Sequence, residues 1–158
     1  NPDGTLKWQK SNIKQRYQYS TRFEGNSAID DQGRVFVLSS SSSRLYALSQ
    51  EDGSELWTKS GINNFSHLLY AENALYASYN STIKALNPAD GTQSWSFSYQ
   101  DASYGSTPKL ITNDGLMLAY YSSQNLVAIN LSDGTKAWEY DPQLINQNSS
   151  NGDTFSLK

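Results

Sequence analysis

The sequence predicts an all-β fold built from repeated four-stranded antiparallel units, and three observations support this prediction. An eleven-residue frame that begins with Ala and ends with Trp occurs three times in one register. The four tryptophans, Trp8, Trp57, Trp95 and Trp138, are separated by 49, 38 and 43 residues. No window shows the sustained 3.6-residue apolar period of a helix. A period of about 40 residues is that of a β-propeller blade, so we expect a partial propeller with about three complete blades.

The repeated frame supplies the second half of each blade. Its copies run from Ala47 to Trp57, from Ala85 to Trp95 and from Ala128 to Trp138, with Asp-Gly at the same offset in each. The N-terminal residues from Asp3 to Trp8 match the back half of another copy. Asp-Gly predicts a tight primed hairpin turn, because such turns need positive φ and glycine adopts it without a Cβ clash. Strands are predicted on both sides of each turn, at 44–49, 82–87 and 125–130 before it and up to the tryptophan after it.

The first half of each blade is a second hairpin upstream of the frame. Alternating apolar residues predict strand pairs at 27–30 with 34–38, 66–71 with 74–79, and 109–112 with 116–121. Turn-forming residues separate the two strands of each pair. We therefore divide the chain into a last strand of one blade at 1–10, blades at 22–60, 62–99 and 102–140, and a loop with the opening strand of a further blade at 141–158.

The frame Ala-x5-Gly-x3-Trp, with a lead-in such as Leu45-Tyr46-Ala47, resembles the PQQ-like (quinoprotein-type) repeat over roughly residues 1–141. That family includes quinoprotein alcohol dehydrogenases and non-catalytic periplasmic and cell-surface proteins. It often has Asp two residues after the Ala, where this chain has Ser49, Asn87 and Asn130. The resemblance implies a propeller in which Trp57, Trp95 and Trp138 dock between neighbouring blades.

Closed propellers of this repeat are expected to need six to eight blades, and about three are present. We therefore expect either that the chain is an ordered part of a longer protein or that two copies close one ring as a homodimer. An open arc would otherwise expose a hydrophobic blade face and strand edges.

Composition narrows the classes of partner. The 158 residues hold 12 Lys and Arg against 15 Asp and Glu, a net charge of −3, and only 17% of them are charged. Scattered basic residues do not favour nucleic acid or an anionic membrane surface. No apolar run is long enough for a membrane span. Few charges with many hydroxyls, amides and tyrosines favour an extracellular, cell-surface or periplasmic location.

No residue set in the sequence specifies a reaction. His67 lies in an apolar strand without a second His or Cys, and Asp30-Asp31 and Asn113-Asp114 are interpreted as turn residues. We therefore predict no catalytic, cofactor-binding or metal-binding residue and no cofactor. The favoured function is a non-catalytic scaffold that binds other proteins or the remainder of its own propeller.

Two alternatives stay open. The first is a fragment of a PQQ-dependent quinoprotein dehydrogenase, for which the resemblance implies calcium, an Asp base and commonly a vicinal disulfide; the chain has no cysteine. The second is a glycan-binding propeller, for which an aromatic surface would be needed. Its candidate tyrosines are Tyr17, Tyr19, Tyr99, Tyr104, Tyr120 and Tyr121.

Overall fold

The computed structural model describes residues 3–10, 27–39, 43–62, 65, 67–100, 107–121 and 125–140. Within these ranges the secondary structure is twelve β-strands and no helix. The strands form three four-stranded sheets, and in each sheet every strand pairs antiparallel with its neighbour in sequence. The prediction of an all-β fold made of four-stranded antiparallel units is confirmed.

The three sheets share one layout. Sheet 1 consists of β1 (Ala28–Ile29), β2 (Arg34–Ser39), β3 (Arg44–Ser49) and β4 (Glu55–Ser60). Sheet 2 consists of β5 (His67–Ala71), β6 (Ala74–Tyr79), β7 (Thr82–Leu86) and β8 (Gln93–Ser98). Sheet 3 consists of β9 (Lys109–Asn113), β10 (Leu116–Tyr120), β11 (Leu126–Asn130) and β12 (Lys136–Tyr140). The predicted loop and strand at 141–158 lie outside the described residues, and the division of the chain into blades at 22, 62 and 102 stays a prediction.

Cross-strand register makes the repeat visible in three dimensions. In each sheet the frame alanine lies opposite the frame tryptophan, and the ladder shifts by one residue directly after that pair. The pairs are Ala47 with Trp57, Ala85 with Trp95 and Ala128 with Trp138. A small residue opposite each indole leaves room for the ring on that face of the sheet. The bulge turns the outer strand at the same place in every unit.

The hairpins at the Asp-Gly sites exist, but their predicted tight primed turns are wrong. At Gly53 the amide donates to the carbonyl of Ser49 at 2.9 Å, and the amide of Ser49 donates to the carbonyl of Ser54 at 2.8 Å. Four residues therefore form the loop, and only the glycine has positive φ, at 71°. The primed geometry occurs instead in the first hairpins of sheets 2 and 3. Glu72 and Asn73 have φ of 47° and 59° in sheet 2, and Asp114 and Gly115 have φ of 50° and 77° in sheet 3.

The core lies between the sheets. One cluster of buried apolar residues joins sheet 1 to sheet 2, and includes Phe36, Ala47, Leu75 and Ala77. A second cluster joins sheet 2 to sheet 3 in the same manner. Strands β1 and β5 lie in contact, so the first strands of neighbouring sheets converge on one side of the arc. The last strands, which are largely exposed, lie on the outside.

Candidate functional site

The joint between neighbouring sheets is the most regular feature of the molecule. Three of the four tryptophans pack against the turn glycine of the following sheet, in the pairs Trp8 with Gly53, Trp57 with Gly91 and Trp95 with Gly134. A Cβ at these glycines would lie 2.7, 2.9 and 2.6 Å from the nearest indole carbon. Since such distances are sterically forbidden, only glycine allows the ring to approach this closely.

Each docked indole also makes one hydrogen bond across the joint. Its Nε1–H donates to a backbone carbonyl in the turn of the next sheet, at Gln50 (2.8 Å), Pro88 (3.1 Å) and Leu131 (2.8 Å) for Trp8, Trp57 and Trp95 respectively. The bond gives the polar edge of the ring a partner as its faces are covered. Trp95 is consequently only 8% exposed.

The aspartates of the frame have a structural role in the same turns. In Asp52, Oδ1 accepts hydrogen bonds from the amide and the hydroxyl of Ser54, at 2.9 and 2.7 Å. These bonds favour the carboxylate and lower its pKa to about 2. Asp90 and Asp133 bind Thr92 and Thr135 in the same way, and their pKa values are lowered for the same reason. The short side-chain to backbone bonds fix the turn that presents the glycine.

The face of sheet 3 that carries Trp138 is not covered by another sheet in the described part of the chain. Trp138 is 44% exposed, and Ile111, in the same cross-strand row, is 67% exposed. The equivalent row of sheet 2, with Tyr76 and Trp95, is buried against sheet 3. Docking of Trp57 and Trp95 is confirmed, whereas the described residues hold no docking partner for Trp138.

A polar network joins the outer strand of sheet 3 to the end of sheet 2. The Tyr99 hydroxyl donates to Oε1 of Glu139, and Nδ2 of Asn125 donates to the Tyr99 hydroxyl at 2.6 Å. On the other side of the carboxylate, Nζ of Lys136 donates to Oε2 at 2.7 Å. The bonds from Lys136 and Tyr99 lower the pKa of Glu139. Sequence reasoning missed this network, because its members lie in three separate segments.

Two cavities lie along the joint between sheets 2 and 3. The first, of about 350 Å³, lies where β5 approaches β9. Its lining residues are His67, Leu68, Leu69, Pro108, Lys109 and Leu110, and we call it the inner groove. The second, of about 300 Å³, lies at the turn end of the same joint and includes Glu72, Tyr76 and Ser132. Burial, together with the nearby Glu72 carboxylate, raises the pKa of Tyr76 to about 12.

The residues considered for chemistry have structural surroundings. The buried carboxylate of Asp30 accepts from the Nε–H and the amide of Arg34, and the exposed Asp31 accepts from the Tyr70 hydroxyl at 3.0 Å. His67 lies on β5 at the inner groove.

No group of three or more His, Cys, Asp or Glu that could hold a metal occurs among the described residues. Calcium takes six to eight oxygen ligands in proteins. The described residues bring together no carboxylate cluster that could supply such a ligand set. A spanning helix is likewise not found in the described ranges.

The candidate tyrosines do not form one surface. Tyr99 and Tyr121 are buried and stack at a centroid distance of 4.8 Å, whereas Tyr120 is exposed. The other candidates, Tyr17, Tyr19 and Tyr104, lie outside the described residues. The described part of the chain therefore places only Tyr120, of this set, where a glycan could reach it.

Comparison with known proteins agrees with this architecture. A family model described as outer membrane protein assembly factor BamB matches residues 1–156. The chain therefore belongs to the family of PQQ-like β-propeller repeat proteins that this model represents. A comparison with curated protein sequences finds no match.

Solved structures show the same fold at low sequence identity. BamB from Moraxella catarrhalis is 19% identical with a TM-score of 0.67, and the match covers 87% of this chain and 40% of that one. A quinohemoprotein alcohol dehydrogenase from Pseudomonas putida HK5 is 15% identical with a TM-score of 0.65, over 86% of this chain and 22% of that one. The computationally designed Ika4 protein is 11% identical with a TM-score of 0.66, over 87% and 80% respectively. The chain thus spans less than half the length of the two natural structures.

Proposed function

We propose that this chain contributes blades to a non-catalytic propeller of the periplasm or cell surface that binds other proteins. The observation that carries the proposal is the family match over residues 1–156, because the model describes an assembly factor. The contacts support it further. The carboxylates of the frame and of the β1–β2 turn accept hydrogen bonds from neighbouring hydroxyls, amides and Arg34. These contacts give the carboxylates a structural role.

The surface that we assign to partner binding is the inner groove. It has two half-buried apolar residues, Leu69 and Leu110, and an exposed cationic side chain, Lys109. Burial of apolar surface is the main favourable contribution to most protein–protein association, and a flanking charge contributes to the choice of partner. The groove therefore suits an extended segment that carries an apolar side chain next to a carboxylate.

The second class of partner is a further set of blades. The Trp138 face of sheet 3 has the same pattern of residues that sheet 2 uses to bind sheet 3, and it is apolar and exposed. We propose that blades from the remainder of its own propeller, or from a second copy in a homodimer, cover it.

Site-directed photo-crosslinking tests the protein-binding role. A photoreactive amino acid replaces Lys109 at the groove or, as a control, Ser94 on the exposed outer strand β8, and the chain is produced in its native cells. We expect a discrete protein adduct from position 109 alone, lost when Leu110 is changed to Asp. Equal adducts from both positions would contradict the groove assignment. Tight binding of PQQ with calcium by the purified protein would contradict the non-catalytic role.

A further inference from the structure

Five Asp-Gly pairs occur in the chain, and one of them has surroundings unlike those of the other four. In four pairs the next residue is Ser or Thr, and in the fifth it is Leu. The four are Asp3-Gly4, Asp52-Gly53, Asp90-Gly91 and Asp133-Gly134. The fifth, Asp114-Gly115, lies in the turn between β9 and β10. The same dipeptide can therefore be compared in two environments within one molecule.

In the first four pairs the aspartate is held by the residue two positions later. Its Oδ1 accepts one bond from the backbone amide and one from the hydroxyl of that Ser or Thr, at 2.7 to 3.0 Å. In the three frame turns the glycine amide is also engaged, because it donates to the carbonyl four residues earlier at 2.8 to 2.9 Å. The carboxylate and the glycine nitrogen are thus each bound to other groups.

Asp114 lacks these restraints. Its exposed carboxylate has no hydrogen-bond or ion-pair partner among the described residues. The next residue but one, Leu116, has no hydroxyl and opens the strand ladder opposite Asn113. The Gly115 amide donates across the joint to Oε1 of Glu72, at 3.1 Å. A carboxylate at this distance is within reach of the amide proton, so it can act as a base.

We propose that Asp114-Gly115 is a site of spontaneous isomerisation to isoaspartate, with Glu72 as the base. Glu72 takes the proton of the Gly115 amide, and the nitrogen forms a bond to Cγ of Asp114. The hydroxyl of the carboxyl group leaves with that proton as water, and a cyclic succinimide remains. Glycine permits this attack because it has no Cβ to obstruct the ring. Water then opens the ring at the main-chain carbonyl, so that the chain continues through Cγ and no mass is gained or lost.

The contacts of the frame aspartates set the size of the expected difference. Ring closure requires the protonated carboxyl group, since its hydroxyl is the leaving group. The bonds from Ser54 lower the pKa of Asp52 from 3.8 to about 2, which reduces its protonated fraction at neutral pH at least about tenfold. The equivalent bonds lower the pKa values of Asp90 and Asp133 in the same direction.

Isomerisation would alter the joint between sheets 2 and 3. The Gly115 amide binds Glu72 of sheet 2, and the Gly115 carbonyl accepts from the amide of Leu131 at 2.9 Å. Isoaspartate adds one methylene to the main chain directly before Gly115, so both bonds are displaced. Glu72, Gly115 and Leu131 also line the cavity at the turn end of this joint. We therefore expect faster hydrogen exchange of the Leu131 amide in aged protein, and unchanged protection in isomerised molecules would overturn this consequence.

Ageing of the full-length protein at neutral pH and physiological temperature tests the proposal. Electron-transfer fragmentation of proteolytic peptides assigns isoaspartate to each Asp-Gly pair. We expect isoaspartate to form at Asp114 at least about tenfold faster than at the frame aspartates. Glu72→Gln should slow the reaction at Asp114 alone. Ser54→Ala, which removes one of the two bonds to Asp52, should raise the rate at Asp52 and leave Asp114 unchanged. Circular dichroism checks that both variants are folded.

The same protein unfolded in urea provides the control, because unfolding removes the contacts of all five pairs. Their rates should then converge. A preference for Asp114 that persists in urea would show that neighbouring residues in the sequence determine it, and would overturn the inference. Equal rates at Asp114 and at the frame aspartates in the folded protein would do the same. An unchanged rate in Glu72→Gln would overturn the role of the base.

Discussion

Replacing Trp95 with Ala should destabilise the protein far more than the same change at Trp138. The Trp95 ring is covered by Gly134 and the apolar residues of sheet 3, and it leaves only 8% of the residue exposed. A covered tryptophan buries about 200 Å², which at about 25 cal/mol per Å² corresponds to about 5 kcal/mol at most. Measured losses for such truncations are about 3–5 kcal/mol. The variant also leaves the Leu131 carbonyl without its donor.

Trp138 provides the matched control, because it has the same place in the repeat and is 44% exposed. About half of the burial is lost there, so its replacement should cost about 2 kcal/mol. Urea unfolding followed by circular dichroism measures both variants, since intrinsic fluorescence would itself change with the number of indoles. Losses that differ by less than about 1 kcal/mol would refute the view that the free energy of the joint comes from covering the ring with the next sheet.

Three further changes test the packing and the electrostatics separately. Gly91→Ala should cost more free energy of unfolding than Gly115→Ala in urea, although the two glycines have similar φ angles of +72° and +77°. A Cβ at Gly91 would lie 2.9 Å from the ring of Trp57, whereas a Cβ at Gly115 would have no atom within 4 Å. At Gly115 the cost is therefore the backbone strain alone, about 1–2 kcal/mol. Equal losses would argue against the close approach. Ser78→Ala should raise the midpoint of thermal unfolding or leave it unchanged, because the buried Ser78 hydroxyl has no hydrogen-bond partner in the described structure; a clear fall would reveal a partner. The Glu139 carboxylate has a lowered pKa, so its stabilisation is complete above the unfolded value of about 4.5 and is lost as the pH falls through the folded value. When the pH is lowered from neutral to acid, the free energy of unfolding should therefore fall less in Glu139→Gln than in the wild type. Parallel plots of this free energy against pH for the two proteins would contradict a stabilising role of the network.

The repeat predicted the fold well because its residues act locally. Three features of the repeat are determined within about fifteen residues: an alternating β-strand, a turn that contains glycine, and a small residue opposite a large one. All three sheets show these features. The turn type was wrong for a physical reason that is also local. In Asp52-Gly53 the aspartate side chain binds Ser54, which stabilises a four-residue loop over the two-residue turn that the dipeptide alone suggests.

The candidate surfaces could not be predicted in the same way, because they depend on how sheets meet. The inner groove needs Leu69 and Lys109, which lie in different sheets, to approach one another. The network of Tyr99, Asn125 and Glu139 likewise joins segments with no common pattern.

The direction of each joint is a property of the assembled arc. The sequence places four equivalent tryptophans beside three full frames, but only the structure shows that the rings of Trp8, Trp57 and Trp95 pack against the glycine of the next sheet and not against that of their own. Forward docking has the consequence that the first glycine needs a tryptophan from outside its own sheet, and Trp8 supplies it. It also leaves the last tryptophan exposed on an apolar face. The exposure of the Trp138 face in the described part of the chain thus follows from the direction of the repeat.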